Sequence, residues 1–151
     1  MKIGLISDTH GLLRPEAVQA LTGVQHIIHA GDIGGPEVID ALRTLAPIDA
    51  VRGNNDKGAW AAKLPLSLGL ILEGVGIYVL HDLKELDLDP EAAGFGVVIT
   101  GHSHKPAVEE RDGILFVNPG SAGPRRFSLP VAIAYLNVKA GKAAAEIRNI
   151  L

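Results

Sequence analysis

Short apolar runs alternate with amphipathic segments through the first third of the chain. Lys2–Ser7, His26–Ala30 and Ile48–Arg52 are brief and mostly apolar, and each stops at a polar turn, which predicts buried strands. Between them, Arg14–Thr22 carries Ala17, Val18 and Leu21 at helical spacing. A second helical pattern begins at Pro36, with Val38, Ile39, Leu42 and Leu45 on one face. Pro15 and Pro36 suit a first helical turn, whereas Gly23 and Pro47 mark the ends. This βαβαβ order predicts a parallel sheet with right-handed crossovers, whose ligands gather at the strand exits.

The pattern changes after residue 57. Gly58–Leu64 is long enough for one or two helical turns. Leu66–Glu73 and Ile77–His81 read as a hairpin across Gly74-Val75-Gly76, and Asp87–Ala93 as a short helix. Gly96–Thr100 is another buried strand. Ala107–Arg111 and Ile114–Val117 flank Asp112-Gly113, a two-residue hairpin signal. Val131–Val138 and Ala143–Ile150 pair around Ala140-Gly141. The expected architecture is one α/β domain over residues 1–151: two sheets packed face to face as a sandwich, with helices on the outer faces.

Composition narrows the class. A chain of 151 residues fits one domain and buries about 70% of its unfolded surface. It has no cysteine, so the core alone must hold the fold; this suits a reducing compartment. The first residues form a strand-like run rather than a charged leader, and no apolar run approaches the roughly 20 residues that span a bilayer. The expectation is a soluble cytoplasmic protein with no membrane partner; a homo-oligomer is compatible with the pattern. Net charge is −3 and the longest basic block is Arg125-Arg126, which argues against gripping long nucleic acid but leaves room for a small phosphate compound.

The chemistry sits at the strand exits. Asp8 and His10 are two residues apart and point the same way if the strand continues. Asp32, Asn54, His81, His102 and His104 lie at the corresponding places of later strands. Four of the six histidines are in this group. Imidazole, carboxylate and amide oxygen form a mixed N/O set suited to Mn, Fe, Co, Ni or Zn. Seven ligands exceed one ion's needs and suit two that share a carboxylate, an arrangement able to clamp both oxygens of a phosphoryl displacement. His26 and His29 read as structural, with His29 close enough to Gly31 to support the site from behind. Asp56 reads as a brace for the Asn54 loop, and Trp60 as core or interface.

Asp8-x-His10, Gly31-Asp32, Gly53-Asn54-x-Asp56, His81 and Gly101-His102-Ser103-His104 appear in the order of the calcineurin-like metallophosphoesterase motifs. From Ile3 to about Arg126 the chain resembles the compact bacterial and archaeal phosphodiesterases, the branch that also holds the Vps29-type retromer subunit. The resemblance implies the four-layer α-β-β-α metallophosphoesterase fold. It also implies one metal held by Asp8, His10 and His104, a second held by Asn54, His81 and His102, and Asp32 between them. Asp32, Asn54 and His81 carry the catalytic role on this reading. The implied cofactors are two divalent transition-metal ions, Mn2+ first, with Fe, Ni, Co or Zn as alternatives. The implied activity is metal-dependent phosphodiester hydrolysis on a small phosphoester; phosphomonoester hydrolysis is the near alternative, and a Vps29-like protein-binding scaffold the distant one. Two positions depart from the pattern. Asn55 stands where many members have a proton-delivering His, and Asp82-Leu83 stands where relatives continue with Gly-His. Asn55 and Arg125 are the expected substrate contacts. Asn118-Pro119-Gly120-Ser121 also resembles a loop near the family site, although its composition is that of a generic turn.

Overall fold

The computed structural model describes residues 1–151. In chain order its first strands and helices are β1 (Lys2–Ile6), α1 (Pro15–Leu21), β2 (His26–His29), α2 (Pro36–Arg43), β3 (Ile48–Ala50) and α3 (Ala59–Ala62). The second half is almost all strand. It comprises β4 (Ser67–Leu72), β5 (Val75–Leu80), β6 (Val97–Ile99), β7 (Ala107–Arg111), β8 (Ile114–Asn118), β9 (Ala132–Lys139) and β10 (Lys142–Asn149). These strands form two five-stranded sheets, ordered β10-β9-β1-β2-β3 and β4-β5-β6-β8-β7. β1, β2 and β3 run parallel, as do β5, β6 and β8. Antiparallel strands fill the remaining places.

Period-two alternation decides which side of each strand meets which layer. Ile3, Leu5, Ile28, Leu136 and Val138 of the first sheet face Val75, Ile77, Val79, Val97 and Ile99 of the second, all buried in one cluster. The opposite face of the first sheet, with Ile27, Ile133 and Tyr135, is covered by Ala17 and Leu21 of α1 and by Val38, Ile39 and Leu42 of α2. A side chain at Gly4 would run into Leu21, so the missing Cβ lets α1 sit close on β1. The second sheet's outer cover is thinner. Leu80, Val98 and Ile114 are shielded chiefly by Tyr78, Leu83, Leu86 and Phe116, around a single 3-10 turn at Leu83–Glu85.

The two-sheet sandwich is the expected fold, with three local corrections. The β4–β5 turn is Glu73-Gly74 rather than Gly74-Val75-Gly76. Glu73 and Gly74 take φ of 51° and 78°, the left-handed pair of a two-residue hairpin turn, so β5 begins at Val75. Asp87–Ala93 is not a helix. The Asp89 carboxylate accepts from the Glu91 amide at 3.1 Å and the Asp89 carbonyl from Ala93 at 3.0 Å. Gly94 then turns the chain left-handed at φ 87°, so one turn closes without propagating. α2 stops at Arg43, leaving Leu45 to pack on the helix-side cluster from the loop beyond.

Every parallel strand of both sheets ends at the same rim. The loops there are stitched together by backbone bonds: Asp8 amide to Gly31 carbonyl at 3.0 Å, His10 to Asp32 at 2.9 Å, and Gly101 to His81 at 2.9 Å.

Candidate metal centre

The loop after β1 places Asp8 at the middle of this rim, wholly buried. Its Oδ2 accepts from the Ser7 hydroxyl at 2.8 Å and from the His102 amide at 3.1 Å. Those two donors hold Oδ2 to the protein and turn Oδ1 inward. Oδ1 has no hydrogen-bond partner. It faces His104 Nε2 at 3.4 Å, His10 Nε2 at 3.8 Å and His81 Nε2 at 3.9 Å. Asp32, at the end of β2, brings Oδ2 to 3.2 Å from His81 Nε2 and 3.7 Å from His10 Nε2.

Two clusters with metal-binding geometry result, Asp8–His10–His104 and Asp8–Asp32–His81. The first is the trio that the resemblance assigns to one ion. Asn54 and His102 make the remaining part of the rim, with His102 Nδ1 3.2 Å from Asn54 Oδ1 and the His102 ring 5.2 Å from that of His81. All seven expected ligand residues therefore meet at one rim, drawn from five loops spread over nearly a hundred residues.

The donor set fits divalent ions. Asp8 and Asp32 are both buried, and neither pairs with a Lys or Arg. Buried carboxylates persist only when paired or bound to a cation. His81 gives the sharper test. Its Nδ1 donates to the Ala30 carbonyl at 2.7 Å, which leaves the Nε2 lone pair aimed at two carboxylates when the ring is neutral. That contact is repulsive unless the ring takes up a proton or a cation lies among them. His10 Nε2 and His81 Nε2 are likewise buried without hydrogen-bond partners.

The protein's own groups set the charges. Burial works against ionisation of Asp32, but the His81 ring and the Asn55 backbone and side-chain amides outweigh it, holding this carboxyl well below the usual range. Burial also works against protonation of His81. The Asp32 carboxylate close to Nε2, the Ala30 carbonyl and the Asp8 charge outweigh it, so its pKa is raised. A metal ion would displace that proton, since only deprotonated imidazole ligates.

Backbone geometry marks the same residues. Asp8, His10, Asp32, His102 and His104 all have positive φ, between 47° and 71°. Each costs on the order of 1 kcal/mol relative to right-handed backbone. Two glycines permit the close approach of loops. A Cβ on Gly53 would strike the Asp32 backbone amide and carboxylate, and one on Gly101 the Ser7 hydroxyl. Larger residues there would push the ligand loops apart.

The other singled-out positions fall as follows. Asp56, buried, accepts from the amides of Ile33 (3.1 Å), Gly34 (3.0 Å) and Gly53 (2.9 Å), so it braces the loops after β2 and β3. Asn55 lies against Asp32, its amide 2.9 Å from Oδ1 and its Nδ2 3.1 Å from Oδ2. Arg125 and Arg126 line a cleft of about 270 Å3 that His10 and His104 share. His26 bonds to Asp49 on β3 at 2.8 Å. Trp60 packs on the helix-side core.

Several supporting residues carried too little signal in the sequence. Thr9 donates to the Ile33 carbonyl at 2.7 Å and meets His29 Nε2 at 3.0 Å. Asn118 donates to the Gly101 carbonyl and the Ser103 hydroxyl, both at 3.0 Å, and thereby holds the His102–His104 loop. Ser121 donates to the Asp8 carbonyl at 3.1 Å. For the last two, the available signal was that Asn118-Pro119-Gly120-Ser121 resembles a loop near the family site, in a composition that is also that of a generic turn.

Comparison with known proteins places the chain in a family. Residues 1–141 match the model of the calcineurin-like phosphoesterase superfamily domain. A protein of Methanothermobacter thermautotrophicus named "Probable metallophosphoesterase" is 35% identical over 159 aligned residues, covering 97% of this chain and 91% of its own. Among solved structures, an archaeal phosphodiesterase superposes with a TM-score of 0.81 at 26% identity, covering 98% of this chain and all (100%) of its own. Vps29 of Entamoeba histolytica, solved with zinc, superposes at 0.76 with 24% identity and full (100%) coverage of both chains, which is a likeness of fold.

Two outcomes test this arrangement. Asp56→Asn replaces one of the two accepting oxygens with an NH2 that cannot accept. At least one of the three amides then loses its partner, and the stability of the metal-free protein should fall by about 1–3 kcal/mol. Urea unfolding reads this, with the exposed Asp87→Asn as a control whose midpoint stays at the wild-type value. For His29, Nδ1 accepts from the Gly31 amide at 3.1 Å, so Nε2 carries the proton and donates to Thr9. Burial pushes the ring's pKa down to about 4, the nearby carboxylates only partly opposing. The unfolded chain takes up this proton near pH 6.5 while the folded one refuses it until about 4. The folded pKa is thus depressed, and this site's share of stability falls as pH drops through that window, by roughly 3 kcal/mol in all. Long-range 15N spectra should show a neutral Nε2–H tautomer at pH 5.5; half-protonation near pH 6.5 would contradict it.

Proposed function

The chain belongs to the calcineurin-like phosphoesterase superfamily, and from that premise we propose that it is a dinuclear, metal-dependent phosphodiesterase acting on a small phosphoester. The observation that carries the reading is the convergence of unpartnered Asp8 Oδ1, His10 Nε2 and His81 Nε2 on one buried point between two carboxylates. Asp8, His10 and His104 would hold one ion and Asn54, His81 and His102 the other, with Asp32 shared. A pair of ions bound there supplies Lewis-acid polarisation of a phosphoryl oxygen and a water acidic enough to act as nucleophile near neutral pH.

The chain's own residues do the rest. Asn55 donates twice to Asp32 and fixes the shared carboxylate's rotation. Ser7 and the His102 amide do the same for Asp8. The Ala30 carbonyl fixes the His81 tautomer, and Asn118 holds the His102 loop. Asn55 cannot release a proton near neutral pH, so this site suits an ester whose alcohol departs without strong acid assistance. Arg125 beside His10 and His104 provides a forked cation suited to a phosphoryl oxygen.

A diester is favoured over a monoester because the rim opens into a cleft on each side. One carries Arg125 and Arg126 beside His10, and the other runs past His102. A phosphorus atom between them has room for two substituents. The Vps29 likeness keeps a protein-binding scaffold in view as a second reading. It would show as absent turnover together with a stoichiometric partner in pull-downs.

The direct test is hydrolysis of bis(4-nitrophenyl) phosphate after loading with Mn2+, compared with 4-nitrophenyl phosphate. The expected result is Mn2+-dependent turnover, lost in EDTA and faster for the diester. No turnover, with elemental analysis finding no bound metal, overturns the reading. Asp32→Asn should lower kcat/KM by at least about 100-fold and deplete both ions, whereas Asn54→Ala should deplete about one of the two. Equal, small losses in the two variants would remove Asp32 from its shared position.

A further inference from the structure

The cleft past His102 has a chemistry of its own. It measures about 440 Å3, within the range of roughly 300–1,000 Å3 typical of small-molecule sites. It opens between the loop after β5, which carries His81 and Asp82, and the loop after β6, which carries His102 and Ser103. Those loops carry two of the ligands assigned to the second ion. Asp82 Oδ2 lies 3.8 Å from His102 Nε2, so the cleft begins at the rim itself. It exists because the outer face of the second sheet has one 3-10 turn where a packed helix would fill the space.

Its walls combine a flat surface with excess positive charge. The Arg111 guanidinium lies 4.2 Å over the Phe116 ring, and about half of its side chain remains open to solvent. A guanidinium stacked on one face presents its other face to an aromatic ring. Lys84 and Lys105, both exposed, stand along the same cleft. Against these three cations stand Asp82, whose Oδ1 accepts from the Lys84 amide at 3.0 Å, and Glu109, 3.6 Å from Arg111. The two lysine ammonium groups have no carboxylate partner.

We infer that this cleft binds the alcohol that stays on phosphorus, and that this alcohol carries a flat aromatic ring and a further anionic group, as a phosphorylated nucleoside does. The inference rests on the phosphodiesterase reading. The retained arm must be held while the other substituent departs, and only this cleft combines a stacking plane with unpaired cations next to the ligand loops. The ring would lie against the Arg111–Phe116 stack, and the second anion against Lys84 and Lys105.

Three 4-nitrophenyl esters test it: those of methyl phosphate, of thymidine 5′-phosphate, and of thymidine 3′,5′-bisphosphate through the 5′ group. With the Mn2+-loaded enzyme, kcat/KM should rise along that order. The ratio of thymidyl to methyl ester should shrink several-fold in Arg111→Ala. The ratio of bisphosphate to thymidyl ester should shrink roughly tenfold in Lys84→Ala/Lys105→Ala. Equal rates for all three esters, or ratios that the variants leave alone, overturn the cleft assignment while the enzyme remains a phosphodiesterase. Calorimetry with thymidine 3′,5′-bisphosphate reads the cleft without turnover. Binding that weakens in both variants supports the assignment, and binding that neither variant changes rejects it even if all esters go uncleaved.

Discussion

Two buried carboxylates, Asp8 and Asp32, face one another's histidines with no lysine or arginine between them, and much of the structure is built to tolerate that. Both are tied to the protein: Asp8 through Oδ2 alone, by Ser7 and the His102 amide, and Asp32 through both oxygens, by the Asn55 backbone and side-chain amides. Asp8 Oδ1, the remaining lone pairs of Asp32 Oδ2 and the histidine nitrogens around them are left for a cation. The Asp8–His102 contact spans 94 residues and joins the two sheets at their common rim. The central contact of the candidate metal site is therefore also a contact between the halves of the sandwich.

The cost of this arrangement is visible in the backbone. Five ligand residues sit in left-handed conformation, and the loops approach so closely that Gly53 and Gly101 admit no Cβ. Such strain persists only where the surroundings over-determine it. Here the determinants are rigid. Parallel strands deliver the loops, Asp56 satisfies three amides at once, and His29 with Thr9 fills the space behind the Asp8–His10 loop. The packed layers between the sheets and under the helices keep those strand ends in register.

Chemistry and specificity then separate by layer. The ligand loops rise from the well-covered inner strands, where positions are fixed. The surfaces suited to holding a substrate lie outside them, in the Arg125–Arg126 loop and on the thinly covered face of the second sheet. Variation there leaves the metal ligands alone, which is how one fold serves many substrates.

The pattern of apolar runs was enough to place nearly every strand, both long helices and the two-sheet sandwich, because periodicity reports which face of an element is buried. The seven ligand candidates were legible as well, since Asp, His and Asn recur beside glycine at strand ends, where few structural roles call for them. Local turn geometry was not: Gly74-Val75-Gly76 offers two glycines, and only β4–β5 register selects Glu73-Gly74. Asp87–Ala93 has helical composition, but Asp89 and Gly94 close it after one turn. The partners of Asn55, His29 and Asn118 also lay beyond the sequence, because the fold alone brings them near. That His29 stands behind the site and that the Asn118 loop lies beside it were legible. Sequence by itself singled out the candidate metal ligands, through residue type and strand-end position. Tertiary structure decided that Asp8 Oδ1 stays free, how Asp32 is turned and which face of the molecule stays open, because all three depend on contacts between segments far apart in the chain.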